Sequence, residues 1–380
     1  MFTVSTNDHE WMAKALRLAR KGLYSTMPNP RVGCVIVRDG EIVGKGFHER
    51  AGEGHAEVHA LKMAGDKAEG ATAYVTLEPC SYFGRTPPCA SALIKSKISR
   101  VVAAMEDPNP SVSGRGMKML NEAGIETLSG VLEAEAKALN PGFIKRMESG
   151  RPFVRAKLAM SLDGRTAMAS GKSQWITGPD ARSQVQQMRA ESCAIITGVG
   201  SILQDDSSLT VRASELGLDN ADEIAKRQPL RVVLDAHLQT PTTAKVISGN
   251  GSCLIVCAVD ADHGKIRMIR DAGAEVLQMD SHDGKINIEQ LLEHLAQREI
   301  NQVLLETGAT LAGAFLEQNL IDELVVFMAP VLMGSSARPL LNLPIEQMSD
   351  KVSLTIKEVR SVGNDWKITA VPSQAVTSGL

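Results

Sequence analysis

His55-Ala56-Glu57, followed later by Pro79-Cys80 and by Cys89, constrains this chain more than any other feature. An imidazole and two thiols form a donor set that zinc accepts, and a site that does chemistry keeps its fourth position open. His55, Cys80 and Cys89 fill three positions, and Glu57 is left free to carry protons. Either fragment alone reads as ordinary helix surface or as buried thiols. In this order, with Thr76-Leu77-Glu78 ending an apolar run just before Pro79-Cys80, they point to zinc. Strands that alternate with helices along the same stretch give an α/β/α sandwich on a mixed sheet.

The surrounding residues fit that architecture. Asn7-Asp8 offers an N-cap for a helix with Trp11, Ala15, Leu18 and Ala19 on its apolar side, ending near Gly22. Residues 32–37 and 41–47 read as a hairpin across Asp39-Gly40. Helices are expected over 55–64, 88–95, 116–123 and 131–139, and strands over 72–77 and 100–105. The metal-binding groups then sit at helix N-termini, where the dipole favours thiolate and hydroxide. Asn140-Pro-Gly and Glu148-Ser-Gly-Arg-Pro152 mark a boundary, giving domains of residues 1–149 and 150–380.

The second domain opens with a strand over 153–160. Later strands are expected over 194–197, 231–235, 253–259, 302–306 and 323–328, with helices near 180–190, 265–271, 288–298 and 310–318. Residues 213–229 read as an exposed polar insertion and 330–344 as loop. Two C-terminal strands follow near 352–359 and 366–371, then a frayed tail. No G-x-G-x-x-G follows a strand here, so a Rossmann site is not indicated. Three turns at strand ends suggest an anionic ligand instead: Ser161-Leu-Asp-Gly-Arg165, Gly198-Val-Gly200 and Glu306-Thr-Gly308. The last opens a helix whose first N–H groups can cradle a phosphate. Each one alone is an ordinary turn.

Composition removes some alternatives. Net charge is −3 from 41 basic and 44 acidic residues, and aromatics are 3%. Neither a basic footprint nor stacking platforms for nucleic acid are expected. Cys34, Cys193, Cys253 and Cys257 lie in apolar runs and read as buried free thiols of a reducing compartment. No signal segment and no apolar run of about 18 residues is seen, so a cytoplasmic protein without membrane contact is expected.

Asn29-Pro30 with Val32-Gly33, then His55-Ala-Glu-Val-His-Ala60, then the stretch from Glu78 to Cys89, resemble the deaminase half of the bifunctional riboflavin-biosynthesis deaminase/reductases. Zinc base deaminases share the non-ligand Glu, but with a shorter Cys spacing than the eight intervening residues here. Residues 157–165, 174–177, 198–206, 209–212 and 306–313, in that order, resemble the reductase half of the same family. Together they cover residues 1 to about 371.

The resemblance implies a cytidine-deaminase-like α/β/α sandwich followed by a dihydrofolate-reductase-like α/β domain, with Zn2+ and NADPH as cofactors. It implies zinc ligation by His55, Cys80 and Cys89, with Glu57 as proton carrier. Asn29, His48, Arg85, Asp107 and Asn109 match substrate positions of the deaminase. Ala159, Trp175, Thr177, Ser201, Asp205, Ala236 and the run Gly308, Ala309, Thr310, Leu311, Ala312, Gly313, Ala314 match cofactor positions. Lys157, Ser173, Arg189, Leu209, Arg212 and Glu306 match substrate positions of the reductase. By charge and fork geometry, Arg189 and Arg212 suit a phosphate. Tyr82 stands where many members have His. The implied partner is a small phosphoribosylaminopyrimidine, and a homo-oligomer is expected on family grounds. Two alternatives remain open: a nucleoside or tRNA-base deaminase with an unrelated C-terminal domain, and a zinc-stabilised binding protein without turnover.

Overall fold

A computed structural model describes residues 5–82, 87–110 and 112–373. The chain divides into two compact units, Met1–Arg151 and Pro152–Leu380.

In the first unit, helix α1 (Thr6–Ala19) starts at Ser5, not at Asn7 or Asp8. Ser5 Oγ accepts the Asp8 N–H, and the Asp8 carboxylate accepts the Ser5 N–H, a reciprocal capping box. Asp8 is thereby drawn inside, where its carboxylate also accepts the Tyr74 hydroxyl at 2.9 Å and the Arg100 guanidinium at 2.7 Å. Strands β1 (Gly33–Arg38) and β2 (Glu41–Phe47) form the expected hairpin. Helix α2 (Ala56–Ala64), strand β3 (Thr72–Val75), helix α3 (Cys89–Lys95) and strand β4 (Arg100–Ala103) follow. Helix α4 (Arg115–Glu122), strand β5 (Glu126–Ser129) and helices α5 (Glu133–Leu139) and α6 (Pro141–Ser149) complete the unit. Among the described residues the sheet order is β2-β1-β3-β4-β5. The hairpin and β1–β3 are antiparallel; β3–β4 and β4–β5 are parallel.

Alternation along β1 sends Cys34 and Ile36 to one face and Val35 and Val37 to the other. The first pair packs with Ala56, Ala60, Leu93 and Leu120 of α2, α3 and α4. The second packs with Met12, Leu16, Ala136 and Leu139 of α1 and α5. Each large apolar side chain so buried contributes roughly 1.5–3 kcal/mol. Glycine fixes the seating of α2: a Cβ at Gly44 would stand 2.2 Å from Ala60 O, and one at Gly46 2.4 Å from Ala56 O. No larger residue allows α2 to lie this close to β2.

Asn140-Pro-Gly is not a boundary. Pro141 opens α6 at the position where its missing N–H costs nothing. The Asn140 side chain exchanges two hydrogen bonds with the Arg31 backbone, at 2.8 and 3.0 Å, which ties α6 into the first unit.

In the second unit the strands lie in the spatial order Glu275–Met279, Cys253–Ala258, Leu230–Leu234, Ala194–Gly198, Gln302–Leu305, Phe153–Ser161, Glu323–Ala329, Asp365–Pro372 and Leu354–Val362. All neighbours up to Glu323–Ala329 are parallel, and the last two strands add an antiparallel hairpin. Helices cover both faces, as parallel sheets require. Leu254 and Val256 pack with Leu291, Leu295 and Phe315 on one face; Cys253, Ile255 and Cys257 pack with Ile266 and Ile269 on the other. The four cysteines outside the zinc pattern are buried and form no disulfide. Residues 213–229 are not an exposed insertion. They form short helices Ala213–Leu216 and Ala221–Ala225, and Leu216 and Ile224 are buried. Two apolar residues among many polar ones suffice because the Ser183 and Gln187 side chains donate to Leu216 O at 3.2 and 2.9 Å.

Candidate active sites

In the first unit, His55 is the N-cap of α2, Glu57 lies in that helix's first turn, Cys80 follows β3, and Cys89 begins α3. The donor atoms of His55, Cys80 and Cys89 all lie within 4.8 Å of one another. His55 Nδ1 stands 3.6 Å from Cys80 Sγ and 3.3 Å from Cys89 Sγ. A tetrahedral zinc ion sets sulfur–nitrogen separations of about 3.6 Å, so these three residues fit the metal. The Cys89 N–H, at the start of α3, donates to Cys80 Sγ at 3.3 Å, an arrangement that favours thiolate. The hydrogen bond between the two thiols holds Cys80 below the ordinary thiol range and raises Cys89 above it. The hydrogen bond with Cys80 raises His55 against the opposing effect of burial.

Glu57 is 3% exposed. Burial, then the charge on Cys80, pushes its carboxyl up to about 7. His48 lies edge-on to His55, with ring centres 5.3 Å apart, and its Nε2 pairs with Asn29 Nδ2 at 3.0 Å. Asp107 is buried, which raises its carboxyl to about 6; the Asn109 N–H, donating at 2.9 Å, opposes that rise. Asn29 and His48 therefore flank the His55 side of the ligand cluster. Tyr82 is exposed. Arg85 lies outside the described residues.

In the second unit, Lys157 and Ala159 project from the same face of strand Phe153–Ser161. Arg189 of helix Pro179–Ala190 meets Glu306 in a bidentate pair, Nε–Oε2 at 2.8 Å and Nη2–Oε1 at 2.7 Å. Its Nη1 donates to Thr210 O at 3.0 Å. Lys157 Nζ stands 3.9 Å from Glu306 Oε1. Burial would raise Glu306, but the Arg189 charge and hydrogen bonds, helped by Lys157, bring it down to about 2. Burial lowers Lys157. The Arg189 fork is thus filled by a carboxylate and a carbonyl, and Arg212 is likewise held by Glu215 at 2.6 and 2.7 Å. Neither is the open phosphate fork expected from the sequence. Leu209 has φ 53° and its side chain is buried in the core.

Gly308 is the N-cap of helix Ala309–Glu317, which has no side-chain cap. Gly308 and Thr310 are exposed and Ala309 is half-buried, whereas Ala312 lies in the core. A Cβ at Gly313 would stand 2.1 Å from Asn342 O, so Leu311, Gly313 and Ala314 serve packing as much as any ligand. Ser201 sits in the first turn and Asp205 at the end of helix Val199–Asp205. Ser173, Trp175 and Thr177 lie between Ala167 and Pro179; Trp175 is exposed and stacks on the Arg182 guanidinium at 4.7 Å. Ala236 follows Asp235, whose buried carboxylate accepts from Gln239 N, Thr240 N and Thr240 Oγ1. The turn at Ser161-Leu-Asp-Gly is a tie between loops: Asp163 accepts the Met333 and Gly334 N–H groups at 3.1 and 2.8 Å. A carboxylate there repels an anion rather than binding it.

Sequence reading passed over Glu78 and Arg231. Arg231 is fully buried and donates to Gly249 O at 2.9 Å and Gly251 O at 2.6 Å, with a longer contact to Ser208 O beside Leu209. Its only signal was a lone charge in an apolar strand.

Residues 5–105 match the cytidine and deoxycytidylate deaminase zinc-binding region, and residues 152–368 match the RibD C-terminal domain. The riboflavin biosynthesis protein RibD of Escherichia coli is 49% identical, over 94% of this chain and 97% of its own length. That of Haemophilus influenzae is 46% identical, over 98% and 99%. A solved structure of Acinetobacter baumannii RibD superposes with a TM-score of 0.89 at 46% identity, covering 97% of this chain and 99% of its own. A Thermotoga maritima structure, described as a diaminohydroxyphosphoribosylaminopyrimidine deaminase/5-amino-6-(5-phosphoribosylamino)uracil reductase, superposes with a TM-score of 0.83 at 32% identity, covering 96% and 99%. A deaminase with an unrelated C-terminal domain is excluded by the second match. The chain belongs to the RibD family of riboflavin biosynthesis proteins, bifunctional enzymes that join a zinc-binding deaminase region to a reductase domain.

Proposed function

We propose that residues 1–149 hydrolyse the 2-amino group of 2,5-diamino-6-(5-phosphoribosylamino)pyrimidin-4(3H)-one, and that residues 150–380 reduce the ribosyl chain of the resulting aminouracil to ribityl with NADPH. The observation that carries the first half is the His55, Cys80 and Cys89 cluster beside a buried Glu57. The name carried by the Thermotoga maritima relative supports the substrate.

His55, Cys80 and Cys89 hold zinc, which when bound brings the pKa of water toward neutrality. Glu57, whose carboxyl burial pushes up to about 7, is suited both to take and to give a proton. It takes the proton of the attacking water and delivers protons to the ring nitrogen and to the departing ammonia. Asn29 and His48 read the ring edge, Asp107 and Asn109 flank it, and Arg85 meets the phosphate.

In the second half the hydride comes from the nicotinamide, and the protein aligns the sugar against it. The open first turn of helix Ala309–Glu317 cradles a cofactor phosphate. Ala159, Trp175, Thr177, Ser201, Asp205 and Ala236 line the rest of the dinucleotide, and Ser173, Leu209 and Arg212 line the substrate. Arg189 acts by holding Glu306. Lys157 supplies the proton that accompanies the hydride, because Glu306 is held ionised and has none to give.

Among the described residues no helix is long and apolar enough to cross a membrane. A cytoplasmic homo-oligomer acting on small molecules, without nucleic acid or membrane, completes the reading. The edge strand Leu354–Val362 leaves Leu354, Ile356 and Val359 exposed, an edge that a second copy would cover.

Glu57→Ala tests the assignment. It should retain zinc yet release ammonia about 10²–10⁴-fold more slowly. NADPH oxidation with the already deaminated aminouracil should be unchanged. Wild-type ammonia release would overturn the mechanism, and loss of reduction by folded protein would overturn the independence of the two sites.

A further inference from the structure

Glu78 ends the approach to Pro79-Cys80 and is 3% exposed. The chemistry above does not use it. One of its carboxylate oxygens accepts the N–H groups of Asp107 at 3.1 Å and Gly114 at 3.0 Å. The other accepts those of Gly116 at 2.8 Å and Met117 at 3.3 Å. Its own N–H donates to Met105 O at 3.0 Å. Helix α4 has no capping side chain of its own; its N-cap is Gly114, with φ 74°, and Glu78 supplies the missing acceptor from another element. The start of α4 is also pressed onto the ligand loop, since a Cβ at Gly116 would stand 2.0 Å from Pro79 O.

A carboxylate has about four lone-pair sites, and all are taken by backbone donors, so Glu78 is not available as an acid or base. Its hydrogen bonds close both ends of the segment 107–114, which carries Asp107 and Asn109. The same residue is two positions from Cys80. We propose that Glu78 is the positioning residue of the deaminase site: it holds Asp107 and Asn109 at a fixed distance from Cys80, so that a ring bound by the one is seated against the other. This rests on the reading that Asp107 and Asn109 contact the pyrimidine substrate.

Glu78→Gln keeps the size but turns an NH2 group toward two backbone N–H donors. Glu78→Asp keeps two acceptor oxygens on a shorter arm. In the full-length zinc-loaded protein, Glu78→Gln should keep its zinc and its rate of NADPH oxidation with the aminouracil. Its deaminase KM should rise about tenfold with kcat changed less than about threefold, the signature of lost ground-state positioning with buried donors left unpaired. Glu78→Asp should restore part of the KM. A wild-type KM in Glu78→Gln would overturn the proposal, and so would loss of zinc from both variants, which would make Glu78 a support of the metal loop. Asp107→Ala separates the two levels: a wild-type KM there refutes the substrate reading itself, whereas a raised KM there with a normal Glu78→Gln refutes the role of Glu78 alone.

Discussion

Acidification should weaken the second unit in part through Glu306, whose share can be isolated by mutation. Its carboxylate is 11% exposed and paired with Arg189 at 2.7 Å, with Lys157 behind it. Burial opposes ionisation, but the two cations prevail and bring the carboxyl from 4.5 to about 2. That difference corresponds to about 3 kcal/mol at roughly 1.4 kcal/mol per pH unit. Because the folded-state value is the lower one, the stabilisation is complete above pH 4.5 and is lost as the pH falls toward 2. At pH 3 about 2 kcal/mol should already be gone. Glu306→Gln provides the reference, since it cannot ionise and leaves Arg189 without its charge partner, at a cost of about 3–5 kcal/mol at pH 7. Urea unfolding can be followed in a Trp11→Phe background, where Trp175 and Trp366 report the second unit. The gap in stability between wild type and Glu306→Gln should narrow by about 2 kcal/mol between pH 7 and pH 3. A gap that stays constant would refute the claim that this pair holds Glu306 ionised.

Cys80→Ser and Cys89→Ser should each strip most of the zinc, measured by metal analysis of purified protein; full retention in both would remove the ligand assignment. A fragment beginning at Pro152 should fold and bind NADPH by calorimetry without added zinc, because its sheet is covered on both faces by its own helices. Lys157→Met should slow reduction by about 10²-fold or more with little change in NADPH affinity; an unchanged rate would exclude Lys157 as the proton donor.

The parts legible in the sequence are those in which one residue type does one job over a short span. Soft ligands at His55, Cys80 and Cys89, and apolar alternation in runs such as Cys253–Ala258, announce themselves because few other uses fit them. Strand β5 escaped notice because Glu-Thr-Leu-Ser at a half-exposed edge carries no apolar period. Helix α6 was hidden for a different reason: Pro141 is a helix starter as well as a breaker, and the side chain of Asn140 decides between them through a bond to Arg31, far away in sequence. The same reason hid the electrostatics of both sites. Arg189 and Arg212 have the fork a phosphate wants, but Glu306 and Glu215 want the same fork, and only packing determines which carboxylate arrives. Glu78 is the extreme case. A Glu just past a strand has no local partner, and its four donors come from residues between 107 and 117 that nothing nearby in the chain foretells. A motif therefore identifies which atoms react, while the residues that hold those atoms in register are buried charges whose partners are distant. In a site of this kind the most informative residues to mutate next are the buried acids that touch no reacting atom.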